Sequence, residues 1–215
     1  MRPSAPKPIR PPELPAELEA GELSDLDPRA LVEARRLDGP ALGRAKASGV
    51  RFEGVHVVGG ALDESALVNL TWLDVVCERC NLSMIDWRGA KLTRVVFRGC
   101  RLTGAKLVEG ELESVRFVDC QLDYAAFTGT RLRQVAFDSC QMRETFFQGG
   151  DLTGTAFAEC DLEGADFGGA KLQGADVSSS RLARITIGAG DVRGLVVSRA
   201  QASELARLLG IVVRD

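Results

Sequence analysis

A chain of 215 residues that is 45% apolar and 27% charged has the composition of a soluble globular protein. Its 27 basic and 30 acidic residues leave a net charge of −3, too balanced to imply by itself a nucleic-acid-binding or polyanionic surface. No apolar run approaches the ~18 residues of a membrane span, and the N-terminus lacks the apolar stretch of a signal peptide, so the expectation is a cytoplasmic protein with reduced cysteines.

Residues 1–22 carry Pro3, Pro6, Pro8, Pro11, Pro12 and Pro15 and no periodic pattern. They read as a disordered or polyproline-like arm. Residues 23–49 read as an N-terminal helical cap. Its helix spans 27–38, with Asp27 as N-cap and Pro28 at the first helical position. Leu31, Ala34 and Leu37 make its apolar stripe, and Pro40 bars its continuation.

From 50 to 199 a rhythm of five takes over. Every fifth residue from Phe52 to Val197 is apolar, thirty positions in all. At 45% apolar content the chance of such a run is on the order of 10⁻¹⁰. A period of five suits neither an amphipathic helix nor a strand; it suits a solenoid in which each unit forms one side of a coil. Two residues before each of these stands a small or β-branched residue, as in Val95, Cys100, Ala105, Gly110, Val115, Cys120, Ala125 and Thr130, the filling of a crowded inner corner.

Longer similarities recur at twenty residues: VVFRGCRL at 95–102, VRFVDCQL at 115–122, VAFDSCQM at 135–142 and TAFAECDL at 155–162. Twenty is four units of five, hence four walls. Phe97, Phe117, Phe137 and Phe157 stack on one wall, and Phe127, Phe147 and Phe167 on the wall opposite. Leu102, Leu122, Met142 and Leu162 form a third; Leu92, Leu112, Leu132, Leu152 and Leu172 a fourth. Coils are expected at the strand spacing of about 4.8 Å. Leu70, Trp72, Ile85 and Trp87 are large for their slots, so the coils around 65–90 are expected to be wider or bulged.

The units CDLEG at 160–164, ADFGG at 165–169, AKLQG at 170–174 and GDLTG at 150–154 resemble the pentapeptide-repeat family, whose unit is roughly A(D/N)LxG. The resemblance covers about 150 residues. It implies an all-β solenoid, a right-handed four-sided parallel β-helix, here of about 7 coils with short helical caps at both ends. Residues 200–215 read as a C-terminal capping helix and short strand: Ser198 as N-cap, Gly210 as stop, Ala202, Leu205, Leu208 and Leu209 as the apolar face, and Ile211 to Val213 as the strand.

Catalytic, cofactor and metal residues are not found. His56 is the sole histidine, so no Ser-His-Asp or Cys-His site can be built except around this one side chain. Cys77 and Cys80 have the CxxC form without a second pair, and the ladder Cys80, Cys100, Cys120, Cys140, Cys160 reads as corner filling. Asp161 and Asp166 occupy outward slots and read as solvated. Lys91, Glu111, Arg131, Asp151, Lys171 and Asp191 alternate in sign, a salt-bridge ladder. The candidate partner surface is the outward row Val76, Val96, Val118, Ala136 and Ala156, extended by Phe146 with Tyr124 on a neighbouring wall. Leu205, Leu208 and Leu209 are the candidate cap or homodimer face.

The leading reading is a non-enzymatic scaffold that binds a protein partner through an outer wall, with no direct nucleic-acid or membrane contact. The alternative is implied by the resemblance: some family members protect DNA gyrase and topoisomerase IV by a DNA-like shape, acidic faces and a C-terminal dimer module. Residues 51–200 hold 20 acidic and 17 basic residues, which speaks against an acidic face.

Overall fold

The computed structural model describes residues 8–23 and 25–214. Its core is a parallel β-solenoid of about 7 turns. Eight-residue strands β5 (Arg51–Val58), β7 (Thr71–Glu78), β8 (Lys91–Arg98), β9 (Glu111–Val118) and β10 (Arg131–Asp138) lie side by side, and β11 (Ala156–Ala158) follows. Each pairs with the next at an offset of twenty residues, so that Phe97 faces Phe117 and Phe117 faces Phe137. Each long strand bends round a corner and supplies two walls. The other two walls are made mostly of single bridges at the same offset, such as Gln121 to Gln141 and Ala126 to Phe146.

The apolar column is buried without a break from Phe52 to Ile187, and Val192 and Val197 are partly buried. Each fully buried Leu or Phe contributes roughly 1.5–3 kcal/mol of transfer energy. The aromatic walls form as the twenty-residue period requires. Phe97–Phe117 and Phe117–Phe137 stack with ring centroids 4.8 Å apart, and Phe127–Phe147 at 5.3 Å. Across the core the two stacks meet edge to face, as in Phe117–Phe127 at 6.3 Å and 84°. Corners turn at the fifth residue of each unit, which takes positive φ. The family's Gly suits that slot, as Gly164 does at +72°, yet Asp74, Met84, Arg94 and Tyr124 adopt it too.

Four expectations need correction. The helix over 27–38 does not form. β2 (Leu31–Glu33), β3 (Arg35–Asp38) and β4 (Lys46–Ser48) stand there, paired to β5 and to β6 (Ala66–Val68). Val32, Leu37, Leu42 and Ala47 carry the five-residue column backward, and Ala34 turns a corner at φ +49°, which an α-helix does not admit. The solenoid therefore starts before residue 50. Its open end is covered by extended chain: Leu26 is buried, Leu23 packs on the same core, and β1 (Glu19–Gly21) pairs with β3.

The second concerns the arm. Residues 1–7, with Pro3 and Pro6, lie outside the described residues. From residue 8 the chain is laid along the rod. Pro15 lies so close over Gly54 that a Cβ there would meet its ring at 2.9 Å. The Glu13 amide donates to Asp74 Oδ1 at 2.8 Å, and Arg10 stands 3.7 Å from Glu113. These contacts step across successive coils, so the arm follows one corner of the solenoid.

The third concerns residues 65–90. β7 pairs with β5 and β8 residue for residue, with no bulge. Trp72 and Trp87 meet edge to face at 4.8 Å inside the coil, where the aromatic column places the small Cys77 in line with Phe97. The added indole volume is offset by the missing phenyl ring.

At the C-terminal end, α1 (Arg199–Leu208) starts from a capping box between Ser198 and Gln201 and stops before Gly210 at φ +81°. Gln201 Nε2 donates to Val177 O at 2.8 Å and Ser180 O at 2.6 Å, and Leu205 packs on the last coil. α1 thus supplies the donor for the Ser180 carbonyl, which the ending solenoid leaves open, and a second donor for Val177 O, which also accepts from the Ser180 amide. The expected strand at Ile211–Val213 is not formed; Ile211 and Val212 are exposed, with no edge to pair with.

Candidate functional site

The outward faces are held by short polar contacts. In the second slot of the unit, Asp or Asn bonds the backbone amide two residues on and closes the corner: Asp166 Oδ1 accepts from Gly168 at 2.8 Å, and Asp161 Oδ1 from Glu163 at 3.2 Å. Asp161 also pairs with Arg143 at 2.7 Å and Arg181 at 3.1 Å. The two aspartates are thus structural rather than simply solvated. Burial opposes ionisation of Asp161, but the hydrogen bonds from Arg143 and the Glu163 amide outweigh it and hold its carboxyl below the usual range.

The alternating row closes one ion pair among the described residues, Glu111–Arg131 at 2.6 Å. Asp191 leaves the row and accepts from the Gly169 and Gly188 amides. His56 sits between two charged side chains. Arg36 faces its Nδ1 at 3.2 Å, which makes Nδ1 the acceptor and turns Nε2–H to Glu78, 3.4 Å away. Glu78 also pairs with Arg98, the main reason its carboxyl is held low.

The candidate partner row does not form an open apolar patch. Val76, Val96 and Ala136 face outward but are buried, at 9%, 8% and 6% exposure. They are short side chains in a row that also holds His56 and Arg116, between the Asp74–Arg94 corner pair and the Glu78–Arg98 pair. Val118 and Ala156 are half-buried; Val118 belongs to the parallel row of Glu78 and Arg98. Phe146 lies on the opposite wall, next to Phe147 and bridged to Ala126, so it cannot extend that row.

Three exposed large apolar side chains of the central coils stand on Phe146's side instead, while Leu31, Val196, Leu208, Ile211 and Val212 are exposed toward the two ends. Phe146 is 38% exposed, Tyr124 53% and Met84 56%. Met84 and Tyr124 hold the corner slot of alternate coils, with Gly104 between them. The Met84 sulfur lies over Gly104, 2.4 Å from where a Cβ would be, and so leans toward the coil of Tyr124. A bulky residue in the family's Gly slot is the sequence signal that marks this ridge, and it was readable in NLSM and QLDY. At the rod's end Leu205 is buried against the last coil, Leu209 is half-buried and Leu208 is 48% exposed.

Inside the rod, Cys77, Cys80 and Cys100 bring three sulfurs within 4.8 Å of one another, all buried. Hydrogen bonding with Cys100 and Cys80, then burial, raises the Cys77 thiol well above its ordinary value. No helix among the described residues is long and apolar enough to cross a membrane.

Comparison with known proteins gives two family matches: a pentapeptide repeat region over residues 90–167 and pentapeptide repeats in 8 copies over 151–184. No curated protein matches. Among solved structures, full-length QnrB1, a plasmid-mediated fluoroquinolone resistance protein, is similar at 19% identity and TM-score 0.44, covering 90% of this chain and 100% of that one. HetL, a pentapeptide repeat protein involved in heterocyst differentiation regulation from Nostoc sp. strain PCC 7120, is similar at 19% identity and TM-score 0.31, covering 82% and 92%. Rfr23 from Cyanothece 51142 is similar at 14% identity and TM-score 0.32, covering 71% and 91%.

Proposed function

The chain belongs to the pentapeptide-repeat family, and from that premise we propose that it is a non-enzymatic scaffold that binds a protein partner through an outer wall. The observation that carries this is the ridge of Met84, Tyr124 and Phe146, three large apolar side chains left open on the central coils of a rod whose walls are knitted by ion pairs and corner hydrogen bonds. Aromatic and Met side chains are the residue types enriched at interface centres. The rod behind the ridge is rigidly packed, so docking there costs little ordering.

The chain's one histidine stands between Arg36, which donates to its Nδ1, and Glu78, 3.4 Å from its Nε2. The test is site-specific photo-crosslinking in cell extract from Ala126, beside the ridge, and from Glu113 on another wall. A discrete adduct from Ala126 that disappears in Tyr124→Ser/Phe146→Ser, with unchanged melting, supports the reading. Equal adducts from both positions, or none from Ala126, would overturn it.

A further inference from the structure

We propose that Cys77, Cys80 and Cys100 form a binding site for a soft, thiophilic ion held by three sulfurs inside the rod, and that trivalent arsenic is the species it suits best. The Cys77 and Cys100 sulfurs are 3.9 Å apart, and all three lie within 4.8 Å of one another. With ion–sulfur bonds of about 2.3 Å, sulfurs sharing one ion stand roughly 3.4 Å apart in a pyramidal arrangement such as trivalent arsenic adopts, and roughly 4.0 Å apart in a planar one. The trio is therefore close to a coordinating triangle before anything binds.

It occurs once. Cys77 stands in the column that holds Phe97, Phe117 and Phe137 in the following coils, so Cys120, Cys140 and Cys160 have sulfur neighbours along the ladder and no third sulfur beside them. The donor set is sulfur alone, which selects soft ions and rejects magnesium and calcium. The Gly60 amide points at the Cys80 sulfur at 3.3 Å, the outer contact that steadies a bound thiolate.

Charge chooses among soft ions. The site is enclosed by the same core that holds Val57, Trp72 and Phe97, which supplies no compensating charge. Three thiolates leave a net charge of −2 around a monovalent ion, −1 around a divalent one and none around a trivalent one, and an uncompensated buried charge is costly. Entry is consistent with this choice. A surface groove of about 260 Å³ lies over Cys80 and Cys100, flanked by Arg79, Arg101 and Asp119. Its net positive rim disfavours cations and is indifferent to neutral arsenous acid. The reaction balances without an oxidant: As(OH)₃ and three thiols give As(SR)₃ and three waters, arsenic staying trivalent while each hydroxide leaves with a thiol proton.

The experiment uses the full chain, reduced with a phosphine and kept anaerobic, titrated with arsenite and separately with cadmium chloride. Expected are one arsenic per chain, a mass gain of one arsenic less three hydrogens in native mass spectrometry, and a near-ultraviolet arsenic–sulfur band. Cys77→Val restores the residue type that Val57 supplies one coil earlier, and should abolish band and adduct. Cys140→Ala should keep both. An adduct that survives Cys77→Val, or that retains oxygen, means two-thiol capture along the ladder and overturns the site. So does a lack of uptake at micromolar protein, which leaves Cys77 as space for the two tryptophans. Tighter uptake of cadmium than of arsenite overturns the choice of ion. Should Cys77→Val fail to fold, alkylation of the parent in denaturant decides: arsenite must shield Cys77, Cys80 and Cys100 and leave Cys140 and Cys160 reactive, and uniform reactivity overturns the proposal.

Discussion

The Glu13 backbone amide donates to Asp74 Oδ1 at 2.8 Å across sixty-one residues of sequence, and Arg94 Nε donates to the same oxygen at 2.6 Å. One corner carboxylate thus fastens the N-terminal arm to the rod and pairs with the next coil. Burial raises the Asp74 carboxyl, and the hydrogen bonds from Arg94 and Glu13 more than offset it, so its folded pKa lies below the ordinary value. A carboxyl depressed on folding contributes stability above its unfolded pKa, about 3.9, and loses it as pH falls through the folded value. Arm protection in hydrogen exchange over residues 8–18 is therefore expected to be constant at neutral pH and to fall below about pH 4. Asp74→Ala should release the arm at neutral pH and cost about 1–2 kcal/mol, since the Glu13 amide is left without its acceptor and Arg94 without its ionic partner. Protection unchanged in that variant would show that Pro15 on Gly54 holds the arm by itself.

Phe137 stacks on Phe117 at 4.8 Å and on Phe157 at 5.1 Å, and meets Phe127 and Phe147 edge to face. Phe137→Ala is expected to cost about 3–5 kcal/mol. Phe137→Asp should cost more, because it places a charge in a dry stack. Coils contact only their neighbours, so hydrogen exchange should rise in β9, β10 and β11 and stay low in β5 and β7. A uniform rise along the rod would contradict a nearest-neighbour solenoid.

Gln201 supplies the C-terminal seal through two carbonyls, Val177 and Ser180. Gln201→Ala leaves the Ser180 carbonyl without its donor and the Val177 carbonyl with the Ser180 amide alone, and is expected to lower stability by about 1–3 kcal/mol, read as earlier melting of the last coil. Gln201→Glu should lose as much, since a carboxylate cannot donate to a carbonyl. Parent-like melting of both variants would mean the carbonyls find other donors.

The interior was legible in the sequence because a solenoid repeats the same burial at the same spacing. The thirty apolar positions and the twenty-residue recurrence of VVFRGCRL, VRFVDCQL and VAFDSCQM fixed the walls, the Phe stacks and the offset between strands. The ends were not legible to the same degree. Val32, Leu37 and Leu42 continue the column, but Leu31, Ala34 and Leu37 also match a helical stripe, and Asp27-Pro28 is a strong helix start. Long-range pairing with β5 settled the competition, and local propensity carries no information about that partner. The arm was misread for the same reason: nothing in PIRPPELP announces Asp74. The candidate site fared worst. Outward slots were read for composition alone, so Val76 and Val96 looked open although longer neighbours flank them. Tyr124 and Phe146 were legible as an aromatic spot but not as separate from the Val76 row, and composition alone does not mark Met84, which holds the same corner slot as Tyr124.

Leu208, Ile211 and Val212 are 48%, 58% and 82% exposed beyond the part of α1 that seals the rod. Burying them between two chains is the simplest way to remove this apolar surface from water. Light scattering of the full chain is expected to give a dimer at micromolar concentration, and Leu208→Glu/Val212→Glu a monomer with unchanged melting. Leu205→Glu is a different experiment, since Leu205 packs on the last coil and its loss destabilises the rod itself. A parent chain that is already monomeric would remove pairing through this end.

A gyrase supercoiling assay, with and without a fluoroquinolone, separates the scaffold reading from DNA mimicry. A protein that imitates duplex DNA must present carboxylates in unbroken series, as phosphates are. Here each carboxylate row is interrupted by guanidinium groups: Glu78 with Arg98 at 2.9 Å, Glu111 with Arg131 at 2.6 Å, Asp138 with Arg116 at 2.5 Å and Glu163 with Arg184 at 2.5 Å. Such pairs cancel within a Debye length, about 8 Å at physiological salt, and leave no extended negative field. Neither inhibition of supercoiling nor protection from the drug is expected at micromolar protein. Arg98→Glu/Arg131→Glu makes two of these rows continuously negative over the paired coils and is the informative companion. If the parent chain protects gyrase, recognition does not depend on a continuous acidic face; if only the variant does, shape was present and charge was the missing element.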